Sequence, residues 1–89
     1  QLALTLHNAT DLMAGDPNGF SDPYVIVKLG SEGTRYYKTK TKKKTLNPKW
    51  EETCLIPRIS PGCEILFEVW DKDTLTADDF LGQATLRIP

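Results

Sequence analysis

The sequence has little of the chemistry on which most catalytic and zinc sites depend, because its 89 residues include two cysteines and one histidine. Cys54 and Cys63 are too few for the disulfide framework of a small secreted domain, and neither has a partner at zinc-ligand spacing. We expect free thiols, one of them in the core, with a bridge between the two as the alternative. His7 has no nucleophile or orienting acid patterned around it, so we expect no enzymatic activity.

Long apolar stretches and helical periodicity are also missing. No run of about 18 apolar residues could span a bilayer and no signal-peptide pattern is visible, so any membrane contact would be peripheral. The mass suits a single domain over residues 1–89. Because the chain does not begin with Met, we expect it to be a segment of a longer multidomain protein.

Alternating apolar residues and β-rich runs predict an all-β protein. No apolar period of about 3.6 residues extends over ten positions, which argues against any substantial helix. Turns rich in Gly, Pro, Asn and Asp separate the runs. The pattern predicts an antiparallel β-sandwich of six strands at residues 2–7, 24–29, 34–42, 50–56, 65–70 and 81–88.

Charge is strongly separated, although the formal net charge is only -1. Residues 33–49 contain no acid and seven bases, which we call the lysine ribbon: Arg35, Lys38, Lys40, Lys42, Lys43, Lys44 and Lys49. The ribbon could be a solvated strand edge or a contact for an anionic surface. Nucleic acid is the charge-based rival, but the acidic end of the molecule and a pI near 5.7 argue against it.

Residues 71–79, which we call the acidic loop, hold four carboxylates: Asp71, Asp73, Asp78 and Asp79. Carboxylates this close repel one another unless a cation lies between them. All donors nearby are hard oxygens, which suit calcium, magnesium or manganese rather than zinc. A flexible loop favours calcium, which tolerates irregular geometry. An ordinary acid-rich turn is the alternative.

A second acidic segment, the first loop at residues 11–22, is expected at the same end of the sandwich. Successive connections in an antiparallel sandwich alternate between its two ends, and these two are the first and fifth. Asp16 and Asp22 could then share ions with the acidic loop. Neither loop continues as an EF-hand, because the Gly and the final Glu of that motif are missing.

Five blocks in order resemble the C2 domain, a calcium-dependent membrane-targeting module named after a conserved region of protein kinase C. The resemblance covers nearly the whole chain and rests on Asp16 with Gly19 and on residues 21–25, 38–41, 45–52, 69–73 and 79–82. It implies a Greek-key sandwich of eight strands. Six are visible here, so we expect that one strand at each end, or the last two in the circularly permuted topology, are missing.

The resemblance also implies a calcium site for two or three ions. The family's five ligating aspartates correspond to Asp16, Asp22, Asp71, Asp73 and Asp79. Backbone carbonyls of Pro17 and Lys72 would join them, sometimes with a hydroxyl near Thr76. Asp11 and Asp78 have no assigned role, and we expect both to be solvated.

The resemblance further implies contacts with lipid. Lys38 and Lys40 correspond to the lysines of a phosphoinositide site, and Tyr24 and Trp70 to its aromatic residues. Two positions depart from that pattern: Ile26 replaces a further lysine, and Asp78 stands where Asn is frequent.

Apolar side chains at the loop tips have no core to join. Leu75 and Phe20, with Pro17, could enter the headgroup region of a membrane, although Phe20 could instead fold back onto its own loop.

We therefore expect a monomeric, cytoplasmic module that binds anionic phospholipid peripherally when calcium rises, and that binds no nucleic acid. The alternative is a calcium-independent interaction or scaffold domain in which the lysine ribbon grips an acidic protein partner.

Overall fold

The computed structural model describes residues 2–14, 19–30 and 33–89. Within them the chain forms six strands and no helix: β1 (Leu2–Asn8), β2 (Pro23–Leu29), β3 (Thr34–Lys38), β4 (Lys49–Ile56), β5 (Glu64–Asp71) and β6 (Asp79–Arg87). The predicted all-β architecture is thus confirmed. No helix in this part of the chain has the length and hydropathy needed to cross a membrane.

The strands form two antiparallel sheets of unequal width. One sheet pairs β1 with β4, and the other has the order β3-β2-β5-β6. The pairing of β1 with β4 and of β2 with β5 joins strands that are far apart in the sequence. Such non-local pairing cannot be read from local patterns, because it depends on which apolar faces meet.

The third strand is four residues shorter than the sequence pattern predicts, ending at Lys38 rather than residue 42. Thr39 still bonds to β2, since its N–H donates to the Val25 carbonyl and its Oγ1 accepts from the Val25 N–H, both at 2.9 Å. The next N–H, that of Lys40, instead donates to Glu52 Oε2 on β4 at 2.9 Å. A side chain of the opposite sheet therefore replaces the ladder at this point.

The core lies between the sheets and is small. Its buried members are Val25, Val27, Trp50, Ile56 and Ile65, each contributing about 1.5–3 kcal/mol when fully removed from water. The Trp50 indole N–H also donates to the Pro23 carbonyl at 3.2 Å, which links β4 to β2.

Tyrosine hydroxyls of β3 connect the two sheets near the start of the lysine ribbon. Tyr36 donates to the Leu55 carbonyl and Tyr37 to Glu52 Oε1, each at 2.6 Å. The carboxylate bond, together with burial, raises the pKa of Tyr37 to about 12. Glu52 thus receives both the Tyr37 hydroxyl and the Lys40 N–H, which fixes the ribbon against the opposite sheet.

Both cysteines are free thiols, as predicted, with Cys54 buried and Cys63 half-buried. Burial raises the pKa of the Cys54 thiol, which keeps it protonated and unreactive.

Candidate metal and lipid-binding site

Three predicted ligands lie at adjacent strand ends. Pro23 pairs with Asp71 across β2 and β5, and Asp71 pairs with Asp79 across β5 and β6. Asp22 immediately precedes β2, so it lies beside Asp71. The Asp22 N–H donates to Asp71 Oδ1 at 2.7 Å, and the Lys72 N–H donates to the Asp22 carbonyl at 2.9 Å. The structure therefore brings the first loop and the acidic loop to the same end of the sandwich.

The remaining predicted ligands of the first loop, Asp16 and the Pro17 carbonyl, lie outside the described residues. The part of that loop that is described is held by the Ser21 hydroxyl, which donates to the Met13 carbonyl at 2.8 Å. The Ser21 carbonyl in turn accepts from the Thr45 N–H at 2.8 Å.

Hydrogen bonds already engage several of the carboxylates. Asp22 Oδ1 accepts from the Lys44 N–H at 2.7 Å, and Asp71 is fully buried. Asp73 accepts from the Thr76 hydroxyl at 2.7 Å and from the Leu75 N–H at 3.1 Å. These bonds lower the pKa of Asp73 and keep it ionised. Asp79 is exposed.

The donor chemistry of this end fits calcium, since its ligands are carboxylate, hydroxyl and carbonyl oxygens. In residues 2–14, 19–30 and 33–89, however, no three acidic, His or Cys side chains are grouped closely enough to hold a metal ion. The described part of the site thus supplies suitable ligands at adjacent strand ends without forming a complete cage.

The sequence led us to expect a solvated Asp78, but the structure places this side chain in two hydrogen bonds. It is half-buried, accepting one hydrogen bond from the Tyr24 hydroxyl and one from the Asp73 N–H at 2.9 Å. These bonds, with smaller contributions from Lys72 and Lys38, lower the pKa of Asp78. Only the polar character of Tyr24 hinted at this contact, because the residues are 54 positions apart.

Three of the predicted phosphoinositide residues, Tyr24, Lys38 and Trp70, lie on neighbouring strands of the larger sheet. Tyr24 pairs with Trp70 across β2 and β5, and the Lys38 Nζ lies 4.6 Å from the centre of the Tyr24 ring. Trp70 packs edge-to-face on Phe80, with ring centres 5.3 Å apart. Sequence reasoning missed Phe80, whose place opposite Trp70 depends on the register of β6. Lys40 is exposed, with its backbone N–H on Glu52.

The two predicted apolar tips differ in exposure. Leu75, in the acidic loop, is 93% exposed, whereas Phe20 is 45% exposed. Phe20 thus lies between the two arrangements that the sequence allowed. Leu75 is the most exposed large hydrophobic side chain of the described residues.

Comparison with known proteins agrees with this architecture. The C2 domain family model matches residues 1–89. The chain is 42% identical over 88 residues to the multiple C2 and transmembrane domain-containing protein of Drosophila melanogaster, covering 99% of this chain and 9% of that protein. It is 40% identical over 88 residues to tricalbin-1 of Saccharomyces cerevisiae, covering 98% of this chain and 7% of that protein. The chain thus spans less than a tenth of the length of these relatives.

Solved structures show the same fold. A C2 domain of plant extended synaptotagmin 1 superposes with a TM-score of 0.87 at 28% identity, covering 96% of this chain and 66% of that one. The calcium-bound pair of C2 domains of extended synaptotagmin 2 matches with a TM-score of 0.76 at 30% identity, covering 96% of this chain and 33% of that one. On its sequence and on its strands alike, the chain belongs to the C2 domain family.

Proposed function

We propose that this chain is a calcium-dependent phospholipid-binding module that brings its parent protein to anionic membranes in the cytoplasm. The observation that carries the proposal is the strand-end placement of Asp22, Asp71 and Asp79, beside a loop whose Leu75 is 93% exposed. Two similarities support it: a relative described as a transmembrane-domain protein, and a structural neighbour described as calcium bound.

In this proposal calcium reverses the negative charge of the acidic end. Asp73 is held ionised by its hydrogen bonds, so without a counter-ion the carboxylates repel anionic headgroups. Calcium, when bound, would neutralise these carboxylates and offer open coordination positions to lipid oxygens. Two or three ions would be held by the side chains of Asp16, Asp22, Asp71, Asp73 and Asp79 and the carbonyls of Pro17 and Lys72.

Because protein oxygens alone leave coordination positions on calcium open, we expect the affinity for calcium in the absence of lipid to be weak. With lipid completing the coordination, calcium and membrane each raise the affinity for the other, as linkage requires. We expect a Kd for calcium alone on the order of 10⁻⁵ to 10⁻³ M.

Two further surfaces would add to adhesion. Leu75, already outside the core, would contribute about 1.5–3 kcal/mol if fully buried in the headgroup region, with Phe20 adding part of its ring. Lysines of the ribbon near an anionic surface would each contribute about 1 kcal/mol. Of these, Lys38 and Lys40 would meet a phosphoinositide headgroup, flanked by Tyr24 and Trp70.

Vesicle sedimentation tests the proposal. The wild-type chain should pellet with phosphatidylserine vesicles in calcium and stay in solution with chelator. Asp79→Asn, at an exposed ligand, should weaken pelleting in calcium. Asp11→Asn is the matched control, since it removes the same charge from an exposed residue in the first loop with no ligand role.

Equal pelleting of the wild-type chain in calcium and with chelator would contradict the proposal. It would favour the alternative of a calcium-independent interaction domain, which draws on the exposed ribbon residues Lys40, Lys43, Lys44 and Lys49. That alternative also predicts binding to an acidic protein partner that ribbon substitutions abolish.

A further inference from the structure

Tyr24 is the point at which the acidic loop and the lysine ribbon meet. Its ring lies beneath the Lys38 ammonium, 4.6 Å away, and its hydroxyl donates to Asp78 of the acidic loop. With both groups against it, Tyr24 is only 5% exposed. Burial and the bond to Asp78 raise the pKa of Tyr24 to about 12, so the hydroxyl is a donor at every physiological pH.

The donors around Asp78 are those that a phosphate group would use. A phosphorylated headgroup is bound by ammonium groups and hydroxyl or N–H donors. Here the Tyr24 hydroxyl and the Asp73 N–H already donate to the Asp78 carboxylate, and the positive charges of Lys72 and Lys38 help to lower its pKa. An incoming phosphate would have to displace this carboxylate from its donors, or bind more weakly because the two anions repel each other.

We propose that Asp78 is an internal anion that occupies the Tyr24–Lys38 pair and thereby weakens the binding of phosphorylated headgroups to the outer face of β2 and β3. The inference rests on the proposed function in taking the membrane as the source of the phosphate. Asp78 differs from the predicted calcium ligands because one of its carboxylate oxygens accepts from the Tyr24 hydroxyl of β2 and the other from the backbone N–H of Asp73.

The test measures binding to phosphatidylcholine vesicles that contain phosphatidylinositol bisphosphate, with chelator present so that no calcium contributes. Asp78→Asn removes the charge while keeping one oxygen for the Tyr24 hydroxyl. We expect affinity to rise about fivefold, the effect of one charge near an anionic surface. Asp11→Asn is the control for net charge alone, and the left-handed backbone at Asp11 (φ 54°) tolerates Asn.

Repeating the Asp78→Asn comparison in a Lys38→Gln protein tests whether Asp78 acts through the Tyr24–Lys38 pair. If Asp78 acts through the Tyr24–Lys38 pair, the gain from Asp78→Asn should disappear in Lys38→Gln. Soluble inositol trisphosphate, titrated in parallel, separates recognition of the phosphate groups from attraction to the vesicle surface: a matching gain shows that the phosphates themselves are recognised.

Equal affinities for wild type and Asp78→Asn, equal gains in Asp78→Asn and Asp11→Asn, or a gain that survives Lys38→Gln would each overturn the inference. If Asp78→Asn lowers the unfolding midpoint too far for measurement, Asp78→Ser provides the same neutralisation with a hydroxyl acceptor. Calcium-dependent pelleting of the wild type with phosphatidylserine is scored separately, so failure of the proposed function is distinguishable from failure of this inference.

Discussion

At the scale of single residues, hydrogen bonds between side chains join the two sheets beside the apolar core. Tyr37 donates its hydroxyl to Glu52, a half-buried carboxylate on the opposite sheet, at 2.6 Å. Removing the Tyr37 hydroxyl leaves a half-buried carboxylate oxygen of Glu52 without this donor, which costs free energy. The bond therefore contributes to the stability of the sandwich as well as to the position of the ribbon.

Tyr37→Phe keeps the ring and removes this bond. We expect the free energy of unfolding at neutral pH to fall by about 1 kcal/mol. Because the folded-state pKa of Tyr37 is about 12 against a usual 10, its contribution is fully present below about pH 10 and is lost as the pH rises toward 12. Urea unfolding of both proteins across this range measures it.

The difference between wild type and Tyr37→Phe should therefore shrink as the pH rises. Tyr24 titrates in the same range but is present in both proteins, so its effect cancels. A difference that stays constant would mean that the Tyr37 hydroxyl titrates alike in the folded and unfolded chains.

At the scale of elements, five strands end within about two residues of where the sequence pattern places them, because apolar alternation reports directly which face is buried. β3 is the exception, since the Lys40 N–H bonds to a side chain rather than continuing the ladder. The shared end of Asp22, Asp71 and Asp79 was also predictable from the alternation of connections. The Tyr24–Asp78 contact was not, because it depends on cross-strand register and on the path of the acidic loop.

The acidic loop allows membrane contact to be separated from folding. Leu75→Ala should leave the free energy of unfolding within about 0.5 kcal/mol, since a 93% exposed side chain loses no packing. Calcium-dependent affinity for phosphatidylserine vesicles should fall roughly tenfold, because the tip loses apolar area that the headgroup region would bury. Vesicle titration and urea unfolding give the two numbers.

Leu55→Ala is the matched control for this loop. Leu55 is 54% exposed and lies near the end of β4, paired with Ala3 and away from the acidic loop. It should leave vesicle affinity unchanged. An equal loss in both variants would show that Leu75 does not enter the membrane.

At the scale of the whole molecule, charge is separated along the chain, with four carboxylates in the acidic loop and seven bases in residues 33–49. The ribbon should add a component of vesicle binding that does not need calcium and that weakens with salt. Its lysines Lys43 and Lys49 are exposed, so their substitution should not disturb the core.

The double variant Lys43→Gln/Lys49→Gln should have a lower affinity for anionic vesicles, by about fivefold for each of the two lysines that contacts the vesicle surface. Its affinity should also depend less on ionic strength than that of the wild type. Arg58→Gln is the control, because Arg58 is an exposed base outside the ribbon. Sedimentation over a salt series measures both effects. If each ribbon lysine removed costs no more affinity than Arg58→Gln does, the ribbon contributes only through net charge.

Under the proposed function, Glu52 has a mechanical consequence. Its two oxygens take the Tyr37 hydroxyl and the Lys40 amide from one sheet while its backbone belongs to the other. A pull applied to Lys38 or Lys40 by a bound lipid would therefore be shared between the two sheets instead of separating β3 from β2. The two sheets would then resist the force together.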